Sequence, residues 1–130
     1  MITCYIKYKL NLDKLLAFEE YGRIWIKIIN ELGGFHHGYF LPSDDPKAEE
    51  NNIFSFKGLG KKGDKDIGVA IFTFPDWEAY EKYRVEAKNH PYCDRANKIV
   101  EETKCFVSYE RSFMKMIEGR EKNDYTGKFF

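Results

Sequence analysis

The stretch Gly33-Gly34-Phe35-His36-His37-Gly38-Tyr39-Phe40-Leu41-Pro42 joins a helix stop to a short aromatic strand, and that junction decides the architecture. The paired glycines end an amphipathic run, because a residue without Cβ takes the left-handed cap conformation at little cost. The segment that follows is too short for another helix, and Pro42 closes it by removing a ladder donor.

Working outward, Ile2, Cys4, Ile6, Tyr8 and Leu10 alternate with Thr3, Tyr5, Lys7 and Lys9, which predicts a strand with one greasy face. Asn11 supplies an N-cap for a helix to about Leu32, with Phe18, Tyr21, Trp25, Ile28, Ile29 and Leu32 on one arc. Beyond Pro42, the segment from Ser43 to Asp66 reads as a long, mobile connection, with room for a short strand at Ile53 to Phe56. Ile67 to Phe74 is a buried strand, and Pro75-Asp76 opens a helix whose apolar side carries Trp77, Tyr80, Tyr83 and Ala87. His90-Pro91 breaks and restarts it, Ala96, Ile99 and Val100 continue the buried side to Thr103, and Lys104 to Met114 is the last strand. A polar segment without periodicity, residues 115–130, reads as a flexible C-terminal tail on a domain spanning 1–114.

The order βαββαβ predicts an α+β fold, ferredoxin-like, with a four-stranded antiparallel sheet and its helices on one face. The other face, on the order of 500 Å², is then bare and mostly apolar, and a second copy applied by a two-fold axis is the simplest cover.

Composition removes several function classes. The 130 residues carry 21 basic and 21 acidic side chains, so no sustained field draws nucleic acid or an anionic membrane. Lys7 and Lys9 interrupt the apolar stretch at the N-terminus, which leaves no signal-type or membrane-spanning run. Cys4, Cys93 and Cys105 are an odd set without metal spacing, which points to reduced thiols and a cytoplasmic protein. An aromatic content of 17% points instead to large side chains filling a core or an interface.

The run from Gly33 to Pro42, the triplet Asn51-Asn52-Ile53, Ile71 to Pro75 with Trp77 to Tyr83, and Glu101-Glu102-Thr103 leading to Tyr109-Glu110-Arg111-Ser112-Phe113 together resemble the NIPSNAP family of dimeric α/β-barrel proteins. The resemblance covers most of residues 1–114 and departs from the family pattern by an insertion between Asn52 and Gly68. It implies two ferredoxin-like subunits with their sheets face to face, as in the superfamily that includes cofactor-free antibiotic-biosynthesis monooxygenases. It implies no settled reaction.

Candidate site residues follow from residue type and placement. Adjacent on a strand, His36 and His37 point to opposite faces and do not ligate one metal together, so no metal is expected. Each reads as a core or interface histidine, with a barrel-facing acid or base as the alternative for one of them. Gly58, Gly60 and Gly63 form a GxGxxG string, but it leads into a strand where a dinucleotide site needs a helix, so no cofactor is expected. A flexible hairpin tip bearing Lys61, Lys62 and Lys65 accounts for it better. Lys7 and Glu110 are charges in the middle of a sheet and either pair with one another or line a wet cavity. Trp25 and Trp77 read as core anchors, and Arg84 as a snorkelling side chain on an aromatic helix face. The residues expected to contact a ligand are Tyr5, Lys7, Trp25, His36, His37, Tyr39, Arg84 and Glu110.

Two function classes are therefore carried forward. In one, a homodimer encloses a small, mostly apolar molecule and binds it or acts on it as a cofactor-independent monooxygenase-like enzyme. In the other, side chains fill the barrel and the protein is a non-catalytic interaction module. A cleft of about 300 Å³ or more between sheet and helices separates the first from the second.

Overall fold

The computed structural model describes residues 1–45 and 63–117. The expected strand at Ile53 to Phe56, most of the 43–66 connection, Gly58 and Gly60 of the glycine string, and the tail beyond residue 117 lie outside them.

Strand β1 (Ile2–Leu10) is followed by a 3-10 turn at Leu12–Lys14, helix α1 (Leu15–Glu31), and strands β2 (Phe35–Phe40) and β3 (Ile67–Phe74). Helix α2 (Trp77–Glu86), a 3-10 turn at Ala87–Asn89, helix α3 (Cys93–Thr103) and strand β4 (Phe106–Met114) complete the order. The strands form one antiparallel sheet in the order β2-β3-β1-β4, so the first and last strands are neighbours as the ferredoxin-like topology requires.

Local chemistry sets the boundaries. Asn11 caps the 3-10 turn ahead of α1 by accepting from Asp13 N–H, and Asp76 starts α2 by accepting from Ala79 N–H at 2.8 Å. The two glycines after α1 serve different needs. Gly33 takes φ +96° and ends the helix, whereas a Cβ on Gly34 would stand 2.6 Å from Phe74 Cζ and 2.7 Å from Ile29 Cγ2. Gly34 is therefore a packing glycine that lets β2 start against two fully buried side chains.

The core lies between the sheet and the helices. Cys4, Ile6, Tyr8 and Leu10 of β1 and Ala70, Phe72 and Phe74 of β3 meet Phe18, Ile24, Ile28 and Ile29 of α1, Tyr80 and Tyr83 of α2, and Ala96 of α3. Trp77, expected as a core anchor, is instead 50% exposed and lies against Phe113 with ring centroids 4.8 Å apart. It heads α2, where the helix overhangs the edge strand β4 rather than the middle of the sheet. On the opposite face Tyr5, Val69 and Ile71 are half-buried and Phe35, Phe40 and Met114 are exposed, so among the described residues the sheet carries helices on one side alone. None of the described helices is long and apolar enough to cross a membrane.

Candidate functional site

Two bulges decide which side chains share a face. In β2 the register with β3 slips between His36 and Gly38, which makes His37 the extra residue of a bulge. Strict alternation would place Tyr39 with His37; the bulge, with Gly38 at φ +134°, returns Tyr39 to the side of His36 instead. The two rings stack on the helix side with centroids 5.0 Å apart and planes 12° from parallel. His37 faces the bare side, where its Nε2 lies 2.8 Å from Thr73 Oγ1.

The second bulge lies in β4. Leu10 pairs with Phe106 and Lys9 with Ser108, so Val107 is unpaired and the parity of the strand changes there. Phe106, Tyr109, Arg111 and Phe113 all look toward the helices, while Ser108, Glu110 and Ser112 look away.

The residues expected at a ligand site are thereby divided. Trp25, His36 and Tyr39 stand between sheet and helices; Tyr5, Lys7, His37 and Glu110 stand on the bare face; Arg84 is exposed on α2. Lys7 and Glu110 are direct cross-strand partners, yet both are exposed and no ion pair closes between them. On the bare face solvent supplies the solvation that an interior pair would need from a partner.

An open cleft of about 380 Å³ runs between the β1–β4 side of the sheet and the helices. Tyr8 forms its floor, Tyr21 comes from α1, Asn97, Val100 and Glu101 from α3, and Phe106, Tyr109 and Arg111 from β4. Helix α3 is held over it by Ala96, which is fully buried, and by an ion pair from Arg95 to Glu20 of α1. Tyr8 is the hub: its ring lies 5.1 Å from Phe18, 4.9 Å from Phe106 and 6.1 Å from Tyr109, and its hydroxyl is 3.4 Å from that of Tyr39.

Electrostatics fix the protonation of this compartment. Burial pushes the Tyr8, Tyr21 and Tyr39 hydroxyls well above the ordinary phenol range, with Tyr39 raising Tyr8, Tyr8 raising Tyr21 and Tyr21 raising Tyr39, so all three are protonated. Burial raises the Cys4 thiol to about 11, against the lowering influence of Arg111. Burial disfavours the Arg111 cation, but Tyr80, Cys4, Tyr109 and Tyr8 around it outweigh that and raise its pKa. His36, 7% exposed, is pushed down to about 4 by burial, with His37 adding to the effect.

His36 is therefore neutral. Gly38 N–H donates to its Nδ1 at 2.9 Å, which puts the ring proton on Nε2. That Nε2–H and the indole Nε1–H of Trp25 are buried donors without an acceptor among the described residues. His36, Tyr39, Tyr21 and Trp25 form a chain of neighbouring rings with successive centroids 5.0, 6.3 and 6.4 Å apart, so this polar demand adjoins the cleft through Tyr21. No group of three or more His, Cys, Asp or Glu side chains among the described residues is placed to hold a metal ion.

Sequence reasoning named Tyr39, His36 and Trp25 on this side but missed Tyr8, Tyr21, Asn97, Glu101, Tyr109 and Arg111 as lining residues. A signal was present: Tyr109, Arg111 and Phe113 recur at a spacing of two, which sets the arginine on an aromatic face.

No family model matches the chain, and no curated protein matches it. Solved structures do. A NIPSNAP family protein of unknown function from Agrobacterium tumefaciens superposes with a TM-score of 0.62 at 16% identity, covering 89% of this chain and 87% of the other. An uncharacterised NIPSNAP domain protein from Burkholderia xenovorans gives 0.58 at 15% identity, with 90% and 95% covered. A Nitrosomonas europaea protein named for antibiotic biosynthesis monooxygenases gives 0.59 at 13% identity, with 91% and 100% covered. Strand order, helix placement and these superpositions agree: the chain has the ferredoxin-like fold of the NIPSNAP proteins.

Proposed function

We propose that this protein is a NIPSNAP-like homodimer that binds a small, mostly apolar molecule in the cleft between its sheet and helices. The observation that carries the reading is the open, tyrosine-lined space of about 380 Å³, within the size range of small-molecule sites. Its walls suit a flat apolar body, since Tyr8, Tyr21, Phe106 and Tyr109 present ring faces and edges around one volume. Protonated phenols there are hydrogen-bond donors for ligand oxygen atoms.

Dimer formation rests on the other face. Phe35, Phe40 and Met114 expose apolar surface beside the half-buried Val69 and Ile71, and Lys7 with Glu110 supplies both signs of charge, so a two-fold contact meets no net repulsion. Tyr5, Lys7, His37 and Glu110 then belong to the subunit contact, and Trp25, His36 and Tyr39 to the ligand compartment.

Native mass spectrometry of protein purified from its own host tests both halves. The expected result is a species at twice the 15.4 kDa chain mass that carries a small molecule released on denaturation. A bare monomer at tens of micromolar contradicts the proposal, and a dimer with nothing retained favours the interaction module.

A further inference from the structure

We propose that Arg111 is an anion-recognition residue of the cleft, so that the molecule bound there is an apolar or aromatic body bearing one oxyanion, such as a carboxylate. The inference rests on the ligand-binding reading above and adds the chemistry of one end of the ligand.

Arg111 lines the cleft from β4, with its guanidinium carbon 5.5 Å from the Tyr109 ring centroid. No carboxylate among the described residues forms an ion pair with it, although Arg23, Arg95 and several lysines do have such partners. The groups that act on its charge are Cys4, which it hydrogen-bonds, and Tyr8 of β1, Tyr80 of α2 and Tyr109 of β4. Each presents a hydroxyl or a thiol and none a carboxylate, so the positive charge stands uncompensated beside a low-polarity wall. A guanidinium so placed offers a fork of donors matched to a carboxylate, and the Tyr8 and Tyr109 hydroxyls lie near enough to act on the same charge.

The carboxylate that lines the cleft, Glu101, projects from α3 and is not in ion-pair contact with Arg111. It repels an anion at its own end. The two charges thus give the cleft a direction, with the oxyanion at the β4 wall and the uncharged end toward α3.

The test uses two probes of one shape, 2-naphthoate and 2-naphthamide, titrated into the full-length protein by calorimetry or NMR. Wild type is expected to bind the carboxylate about tenfold more tightly than the amide. Arg111→Met should abolish that preference, and Arg111→Lys should restore part of it. The wild-type preference should also shrink as ionic strength rises. Equal affinities in wild type, or an undiminished preference in Arg111→Met, overturns the assignment of Arg111 while leaving the cleft intact. Failure of both probes to bind overturns the cleft reading and this inference with it. Because Arg111 is partly exposed, its variants are expected to fold, and Arg111→Gln serves as the second polar control.

Discussion

Tyr8→Ala is expected to lower unfolding stability by about 4 kcal/mol, the loss typical of removing a buried aromatic ring. Tyr8 is 3% exposed on a central strand and meets Phe18, Tyr21, Tyr39, Phe106 and Tyr109 at ring distances of 4.9–6.3 Å. The deletion removes the floor on which α1, β2 and β4 converge, so relaxation of any one neighbour does not fill the space. Tyr8→Phe keeps the ring and gives up a hydroxyl contact of 3.4 Å, so its cost should stay near 1 kcal/mol. Urea unfolding of the two variants beside wild type checks this. A loss below about 1 kcal/mol for Tyr8→Ala would mean that the ring is not the hub of the compartment.

Acid sensitivity should trace to His36. Its folded pKa, near 4, lies below the ordinary value of 6.5, so between those pH values the unfolded chain binds a proton that the folded chain does not. The sign follows: the contribution is fully present above pH 6.5, declines as pH falls, and is lost by about pH 4. At pH 5 the loss is about 2 kcal/mol, since each unit of separation is worth about 1.4 kcal/mol. His36→Asn keeps an acceptor for Gly38 N–H and removes the titration, so the fall in stability from pH 7 to pH 5 should be smaller in the variant by that amount. His37, whose pKa burial also lowers, provides the control. A pH profile shifted equally by His36→Asn and His37→Asn would contradict the placement of His36 in the interior.

The fold was legible because its signals are local. Alternation from Ile2 to Leu10, the Asn11 and Asp76 caps and the Gly33 stop each act within a few residues, and the strands and helices lie where those signals put them. The site was not, because face assignment accumulates along a strand and one inserted residue reverses it. Counting from the aromatic Phe106 puts Glu110 toward the helices; the unpaired Val107 turns Glu110 out and Arg111 in. The same happens at His37, and it separates Lys7, His37 and Glu110 from Tyr39, with which they were grouped. Such bulges arise from pairing with a distant strand. Gly38 hints at one, but nothing in the residues around Val107 marks the other.

The measurement that bears most directly on the cleft is an NMR titration of labelled protein with 2-naphthamide, in wild type and in Val100→Trp. Val100 lines the cleft from α3, and an indole there fills much of its volume while the Ala96 contact beneath is kept. In wild type, shifts should cluster on Tyr21, Val100, Tyr109 and Arg111 and leave Tyr5, Lys7 and Glu110 unmoved; Val100→Trp should remove them. Shifts concentrated on the bare face of the sheet, or unchanged in Val100→Trp, would contradict a binding site between sheet and helices.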